Sequence, residues 1–240
     1  MDALIYTLMS GAERALRSQQ IHANNLANAG TDGFRADLEA ASARKVDGSG
    51  YDARHVSELG DTVVASRDGT MRATGRDLDV ALQGGYLTVR AGDGEAYTRA
   101  GALQLAADGT LQVNGRTVLG DAGPIVLPPY ERVAVGVDGS VMVQTPGETE
   151  MQVVDRLKLV APDADAVKKN RDGLIVARDG RPLTASDDVR VRSGHLEGSN
   201  VSAVEEMVAT LSLNRDFEIQ MKFYKSADDM VQAGNRLMRE

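Results

Sequence analysis

Asn24-Asn25-Leu26-Ala27-Asn28-Ala29-Gly30-Thr31-Asp32-Gly33-Phe34 is the stretch at which this chain changes its period. Before it, apolar residues recur at helical spacing: Leu4, Ile5, Leu8, Met9, Ala12, Ala15, Leu16, Ala23 and Leu26. That spacing predicts an amphipathic helix. Asn28 and Gly30 tolerate the left-handed geometry that ends a helix, Thr31-Asp32-Gly33 continues as a tight turn, and Phe34 anchors the emerging chain.

C-terminal to this point, residues 35–75 mix charge with Gly48-Ser49-Gly50 and short pieces such as Thr62-Val63-Val64, which reads as an extended connector. From residue 76 to about 190 the period becomes two, as in Leu78-Asp79-Val80-Ala81-Leu82, Leu111-Gln112-Val113, Val141-Met142-Val143 and Leu157-Lys158-Leu159-Val160. Asp-Gly recurs at Asp68-Gly69, Asp93-Gly94, Asp108-Gly109, Asp138-Gly139, Asp172-Gly173 and Asp179-Gly180, and each pair is expected to supply the positive φ of a tight hairpin. The middle is therefore expected to be antiparallel β.

The last segment, residues 191–240, returns to helical spacing. Ser202-Ala203-Val204-Glu205 reads as a capping box, followed by an apolar stripe through Val204, Val208, Leu211, Ile219, Phe223, Met230 and Leu237. The phase slips near Asn214 to Asp216, and a second stripe runs through Leu213, Phe217, Met221, Tyr224 and Val231. Two stripes predict more than one packing neighbour. The fold class is α+β, divided as residues 1–34 (helix and turn), 35–75 (connector), 76–190 (β-rich domain) and 191–240 (connector and terminal helix). From the pattern alone, the helices could either cap their own sheet in a closed globule or serve as assembly surfaces.

Composition narrows the function. The 240 residues are 42% hydrophobic, enough for a substantial core, but only 4% aromatic with no Trp, which leaves little material for an aromatic ligand pocket. A formal charge of −8 argues against nucleic-acid and anionic-membrane partners. Residues 1–35 carry three basic and three acidic side chains and residues 201–240 carry five and seven, which leaves −6 on the middle. Near-neutral ends can pack closely with copies of themselves. No cysteine is present, so disulfides and thiolate chemistry are excluded. The N-terminus lacks the basic and apolar pattern of a cleavable signal, and no apolar run reaches membrane-spanning length.

Catalytic and metal chemistry finds no support in the motifs. His22, His55 and His195 are scattered without ligand spacing, and no Gly-x-Ser-x-Gly elbow, calcium loop or phosphate-binding loop occurs. Expected catalytic residues, cofactors and metals are none, and no small-molecule substrate is expected.

The opening stretch resembles the Ala-Asn-Asn-Leu-Ala-Asn-x-x-Thr-x-Gly-Phe signature of the flagellar rod and hook family, carried here by Asn24, Asn25, Leu26, Ala27, Asn28, Thr31, Gly33 and Phe34. Thr74-Gly75-Arg76-Asp77-Leu78-Asp79-Val80-Ala81-Leu82 agrees, with Tyr97-Thr98-Arg99-Ala100-Gly101 and Val118-Leu119-Gly120 following in the family's order. So does Leu196-Glu197-Gly198-Ser199-Asn200-Val201 leading into Glu205-Glu206-Met207-Val208. Gly84-Gly85-Tyr86-Leu87-Thr88-Val89 is less aromatic than the corresponding family strand. Met1-Asp2-Ala3-Leu4-Ile5-Tyr6, Gly33-Phe34-Arg35-Ala36-Asp37 and the overall length are similar to the proximal rod branch more than the distal one.

The resemblance implies a structural subunit and not an enzyme. It is expected to be exported unfolded through the flagellar type III export apparatus without a cleaved signal, and to polymerise with itself and other rod subunits in the periplasmic part of the basal body. It implies that the terminal helices pair and build a tubular drive shaft that transmits torque and encloses the export channel. Leu4, Leu8, Ala12, Leu16, Leu26, Val204, Val208, Leu211, Phe217, Ile219, Phe223, Met230 and Leu237 are then the candidate assembly residues. The alternatives are a distal rod subunit of the same family or a secreted β-domain hydrolase or binding protein.

Overall fold

The computed structural model describes residues 2–45, 55–60 and 62–237. The architecture is the expected α+β, with a helix at each end of a mostly antiparallel β region. It separates into two compact units, one built from Met1–Ala27, Asp37–Val63 and Ser202–Glu240, the other from Asn28–Ala36 and Val64–Val201.

The first unit is an antiparallel helix pair. Helix α1 spans Asp2–Ala27 and ends inside the Asn-rich stretch, just before Asn28; the left-handed φ expected at Asn28 or Gly30 falls on Gly33 instead. Helix α2 spans Ala203–Leu237 and continues through the phase slip without a break. The Ser202 half of the expected capping box is present at its first turn: the Glu205 amide donates to the Ser202 hydroxyl at 3.4 Å, and the Glu206 amide to the Ser202 carbonyl at 3.0 Å. Glu205 and Glu206 also place negative charge at the positive end of the helix dipole. Within the segment read as a connector, Ala41–Lys45 and His55–Leu59 pair antiparallel from Ala41 opposite Leu59 to Lys45 opposite His55, and the second of these strands runs beside α1. Gly48-Ser49-Gly50 lies outside the described residues.

The second unit is β. Its largest sheet is antiparallel, in the order Leu159–Val160, Tyr86–Ala91, Gly94–Thr98, Ile175–Ala177, Val167–Lys169. A meander of Arg132–Val135, Ser140–Gln144 and Gln152–Arg156 and another of Leu103–Leu105, Leu111–Val113 and Arg116–Thr117 form two separate three-stranded sheets. Late residues return to early ones: Arg190–Ser193 pairs with Val80–Gln83, and His195–Glu197 with Met71–Ala73. The inward positions of these alternating strands form one core, in which Val80, Leu82, Leu87, Leu103, Leu111 and Ile125 have no exposed surface. A smaller cluster surrounds Tyr97, whose buried hydroxyl accepts a hydrogen bond from the Leu183 amide at 2.7 Å. Burial pushes the Tyr97 phenol above its ordinary pKa.

Four of the six Asp-Gly pairs have the expected positive φ, at Gly109, Gly139, Gly173 and Gly180; the first three close hairpins, whereas Gly180 turns between strands that do not pair with each other. The other two pairs lack the positive φ. In the turn before Gly94 the positive φ falls on Gly92. Gly69 keeps an ordinary φ and is required for a different reason: a Cβ there would sit 2.0 Å from the Gly198 carbonyl oxygen. Sequence spacing marks a glycine without revealing which of its two freedoms is used.

Candidate assembly surface

The two apolar stripes of α2 lie on nearly opposite sides of a helix that advances about 100° per residue. The first faces out of the described structure: Val204 is 71% exposed, Leu211 60% and Phe223 61%, and Val208, Ile219 and Met230 are similarly open. The second contains the half-buried Leu213, Phe217 and Val231. Leu213 faces Ala15 and Ser18 of α1, while Met221 and Tyr224 border an open groove of ≈ 230 Å³ with Met9, Ala12 and Gln220. Of the remaining candidate residues, Leu16 is exposed and Leu26 half-buried. The side chains of Leu4, Leu8 and Leu237 lie outside those described. Burying one such side chain fully is worth roughly 1.5–3 kcal/mol, a gain that the six outward residues of α2 leave largely unrealised within the described structure.

Polar groups fix the base of the helix pair. Asn25, only 1% exposed, receives a hydrogen bond from the Asp37 amide at 2.9 Å and donates to the Asp37 carbonyl at 3.0 Å. It also donates to Glu206 of α2 at 3.3 Å, and the other oxygen of that carboxylate meets His22 Nδ1. Glu39 sits between the Ser18 hydroxyl and Arg14, whose Nε lies 2.6 Å away. Partial burial alone would raise the Glu39 pKa, but the Ser18 hydrogen bond and the Arg14 charge outweigh it and lower it.

The other half of the signature is held in the β unit by a buried ion network. Glu197, 1% exposed at its side chain, pairs with Arg35 at 3.1 Å and Arg99 at 3.0 Å, and the guanidinium of Arg35 also reaches Asp68 at 2.6 Å. The backbone follows the same knot: the Gly33 amide donates to the Glu197 carbonyl at 2.7 Å, the Gly69 amide to the Glu197 carboxylate at 2.9 Å, and the Ala36 amide to Asn200 Oδ1 at 2.7 Å. Gly33 has φ +73°, and a Cβ on it would lie 2.2 Å from the Ala100 nitrogen, so only glycine fits. Phe34 stacks under Lys169, whose Nζ is 3.9 Å from the ring centroid. The Arg35 hydrogen bond holds the Asp68 carboxyl below its ordinary pKa.

This network unites the three stretches that carried the family resemblance. The sequence reading did not single out Arg35, Asp68, Arg99 and Glu197 as a group. No spacing links them: Arg99 and Glu197 are 98 residues apart, and Asp68 was marked only as part of an Asp-Gly turn. Among the described residues no cluster of His, Cys, Asp or Glu could hold a metal ion, and no helix is long and apolar enough to cross a membrane.

Comparison with known proteins agrees along the whole chain. Residues 5–35 match the family described as flagella basal body rod protein, residues 81–143 the flagellar hook protein FlgE/F/G D1 domain, and residues 192–237 the flagellar basal body rod FlgEFG protein C-terminal family. The chain is 40% identical to the flagellar basal-body rod protein FlgF of Salmonella typhimurium, over 99% of both chains, and 40% identical to FlgF of Escherichia coli with the same coverage. Against FlgG of Caulobacter vibrioides identity falls to 27%, over 96% of this chain and 97% of that one. With its signature stretches knotted together and its terminal helices paired, the chain belongs to the flagellar basal-body rod proteins, as an FlgF-like structural subunit of the rod.

Proposed function

We propose that this subunit joins copies of itself and other rod subunits through its paired terminal helices, with the outward stripe of α2 as the main contact. In that role residues 1–34 and 191–240 form the inner wall of a tubular drive shaft that transmits torque and encloses the export channel. Residues 76–190 form an outer layer, and residues 35–75 link the two. The subunit reaches the periplasmic rod through the flagellar type III export apparatus, and works without substrate, cofactor, nucleic acid or catalysis.

The observation that carries this reading is the outward face of α2, where Val204, Val208, Leu211, Ile219, Phe223 and Met230 are each about half exposed or more. A contiguous apolar face of this kind marks an interaction surface. The identity of 40% to two FlgF proteins against 27% to FlgG favours the proximal over the distal position. Replacing Leu211 or Phe223 by Asp places a charge at the seam while leaving the subunit's own contacts intact. The expected result is loss of motility and of rod incorporation with normal unfolding of the isolated subunit. Motility retained in both variants rejects the outward face of α2 as an assembly contact.

A further inference from the structure

The two stripes of α2 pose a problem that apolar burial alone does not solve. Val204, Val208, Leu211, Ile219, Phe223 and Met230 make one face, and Leu213, Phe217, Met221, Tyr224 and Val231 the other. Their apolar content is comparable, so either could pack on α1. The face that does pack also carries a cost, since Gln220 Oε1 is buried there without a hydrogen-bond partner. Something other than hydrophobic burial selects it.

We propose that Glu206 is a positioning residue that chooses which face of α2 turns toward α1. It stands one helical turn before Thr210 and two before Leu213, on the inward side, and its two carboxylate oxygens take separate partners on α1: Asn25 at 3.3 Å and His22. Asn25 is itself fixed by two hydrogen bonds to the Asp37 backbone, so it presents its remaining amide hydrogen in one direction. Thr210 Oγ1 donates to the Glu206 carbonyl at 2.8 Å, on the same side of α2. Turning the helix to bury the first stripe would carry the carboxylate away from both partners and leave the buried Asn25 amide short of an acceptor. Buried polar contacts of this kind specify register and facing in helix pairs where apolar residues do not discriminate. The same contact keeps the first stripe outward. This rests on the assembly reading only in giving the outward stripe a use.

Because the chain has no cysteine, facing can be read by oxidative cross-linking of engineered pairs in the full-length monomer. Ala12→Cys with Gln220→Cys reports the observed facing, and Ala12→Cys with Ile219→Cys reports the rotated one. Without further change the first pair is expected to close in strong preference. Glu206→Leu should shift the ratio toward the second pair by at least about tenfold, the population change that accompanies loss of a charged hydrogen bond. Glu206→Gln retains an acceptor for Asn25 and should keep the original preference. A purely structural role would depress both pairs together and leave their ratio unchanged, which overturns the proposal. Equal closure of both pairs before the Glu206 change, or closure of neither, overturns it as well, since the carboxylate then selects nothing. No step requires polymerisation, so failure here leaves the assembly reading standing, and loss of motility in the Leu211 and Phe223 variants is judged separately.

Discussion

The helical and β units spend their apolar residues in opposite ways. In the β unit Leu, Val and Ile side chains from many strands are withdrawn completely from solvent. Among the described residues of the helical unit, the buried apolar side chains are two alanines, Ala15 and Ala227, while Leu16, Val208, Leu211, Ile219, Phe223 and Met230 stay open. One unit has a core of its own. The other leaves most of its large apolar side chains open, and an isolated pair of helices depends on packing of such surface for most of its stability.

The strongest test of this contrast is within the β unit. Glu197→Ala leaves Arg35 and Arg99 buried without their shared carboxylate, and breaking such a pair from one side costs about 3–5 kcal/mol. Leu82→Ala, at a position with no exposed surface, should cost about 2–5 kcal/mol through lost burial and a cavity. Both losses should appear in denaturant unfolding of the β signal. If either variant unfolds like the parent, the β unit does not owe its stability to this core and this knot.

Cutting the chain offers a sharper form of the same comparison. A fragment of residues 28–201 keeps both Arg190–Ser193 and Glu197, whereas residues 76–190 lose nearly all of the strand that pairs with Val80–Gln83 and every member of the ion network except Arg99. The longer fragment should fold cooperatively and the shorter one should melt at a distinctly lower temperature, as followed by circular dichroism. Equal melting of the two would mean that the late strands contribute little.

Next in size are the outward residues of α2. Leu211→Ala and Phe223→Ala should each change the unfolding free energy of the monomer by no more than about 0.5 kcal/mol, the range of ordinary surface substitutions. Destabilisation comparable to that of Leu82→Ala would show that these side chains already have an intramolecular partner, and the contrast between the units would collapse.

The smallest expected effect is electrostatic. The hydrogen bond from Arg35 depresses the Asp68 pKa, so Asp68 adds stability that is complete above the ordinary value of 3.8 and is lost as pH falls through the depressed one. The Asp68 side chain is 55% exposed, so solvent screening holds the contribution to about 1 kcal/mol or less. Unfolding of Asp68→Asn should differ from that of the parent at neutral pH and converge with it in strong acid. A difference that persists unchanged below the depressed pKa would exclude the charge as its source.

Much of the outline was legible because it is local. Helical spacing from Leu4 to Leu26, the Ser202 cap, the period-two stretches and four of the six Asp-Gly turns depend on residues within a few positions of one another, where backbone sterics and short-range hydrogen bonds decide. Even the presence of two stripes on α2 follows from its own sequence. Tertiary structure decided what each of these elements meets. It set which stripe faces α1, which glycine freedom is used at Gly69, and that the segment read as a connector contains a β-hairpin. It also joined Arg35, Asp68, Arg99 and Glu197, residues drawn from distant parts of the chain. Contacts of that range are fixed by the simultaneous packing of whole elements, so no spacing within one element encodes them.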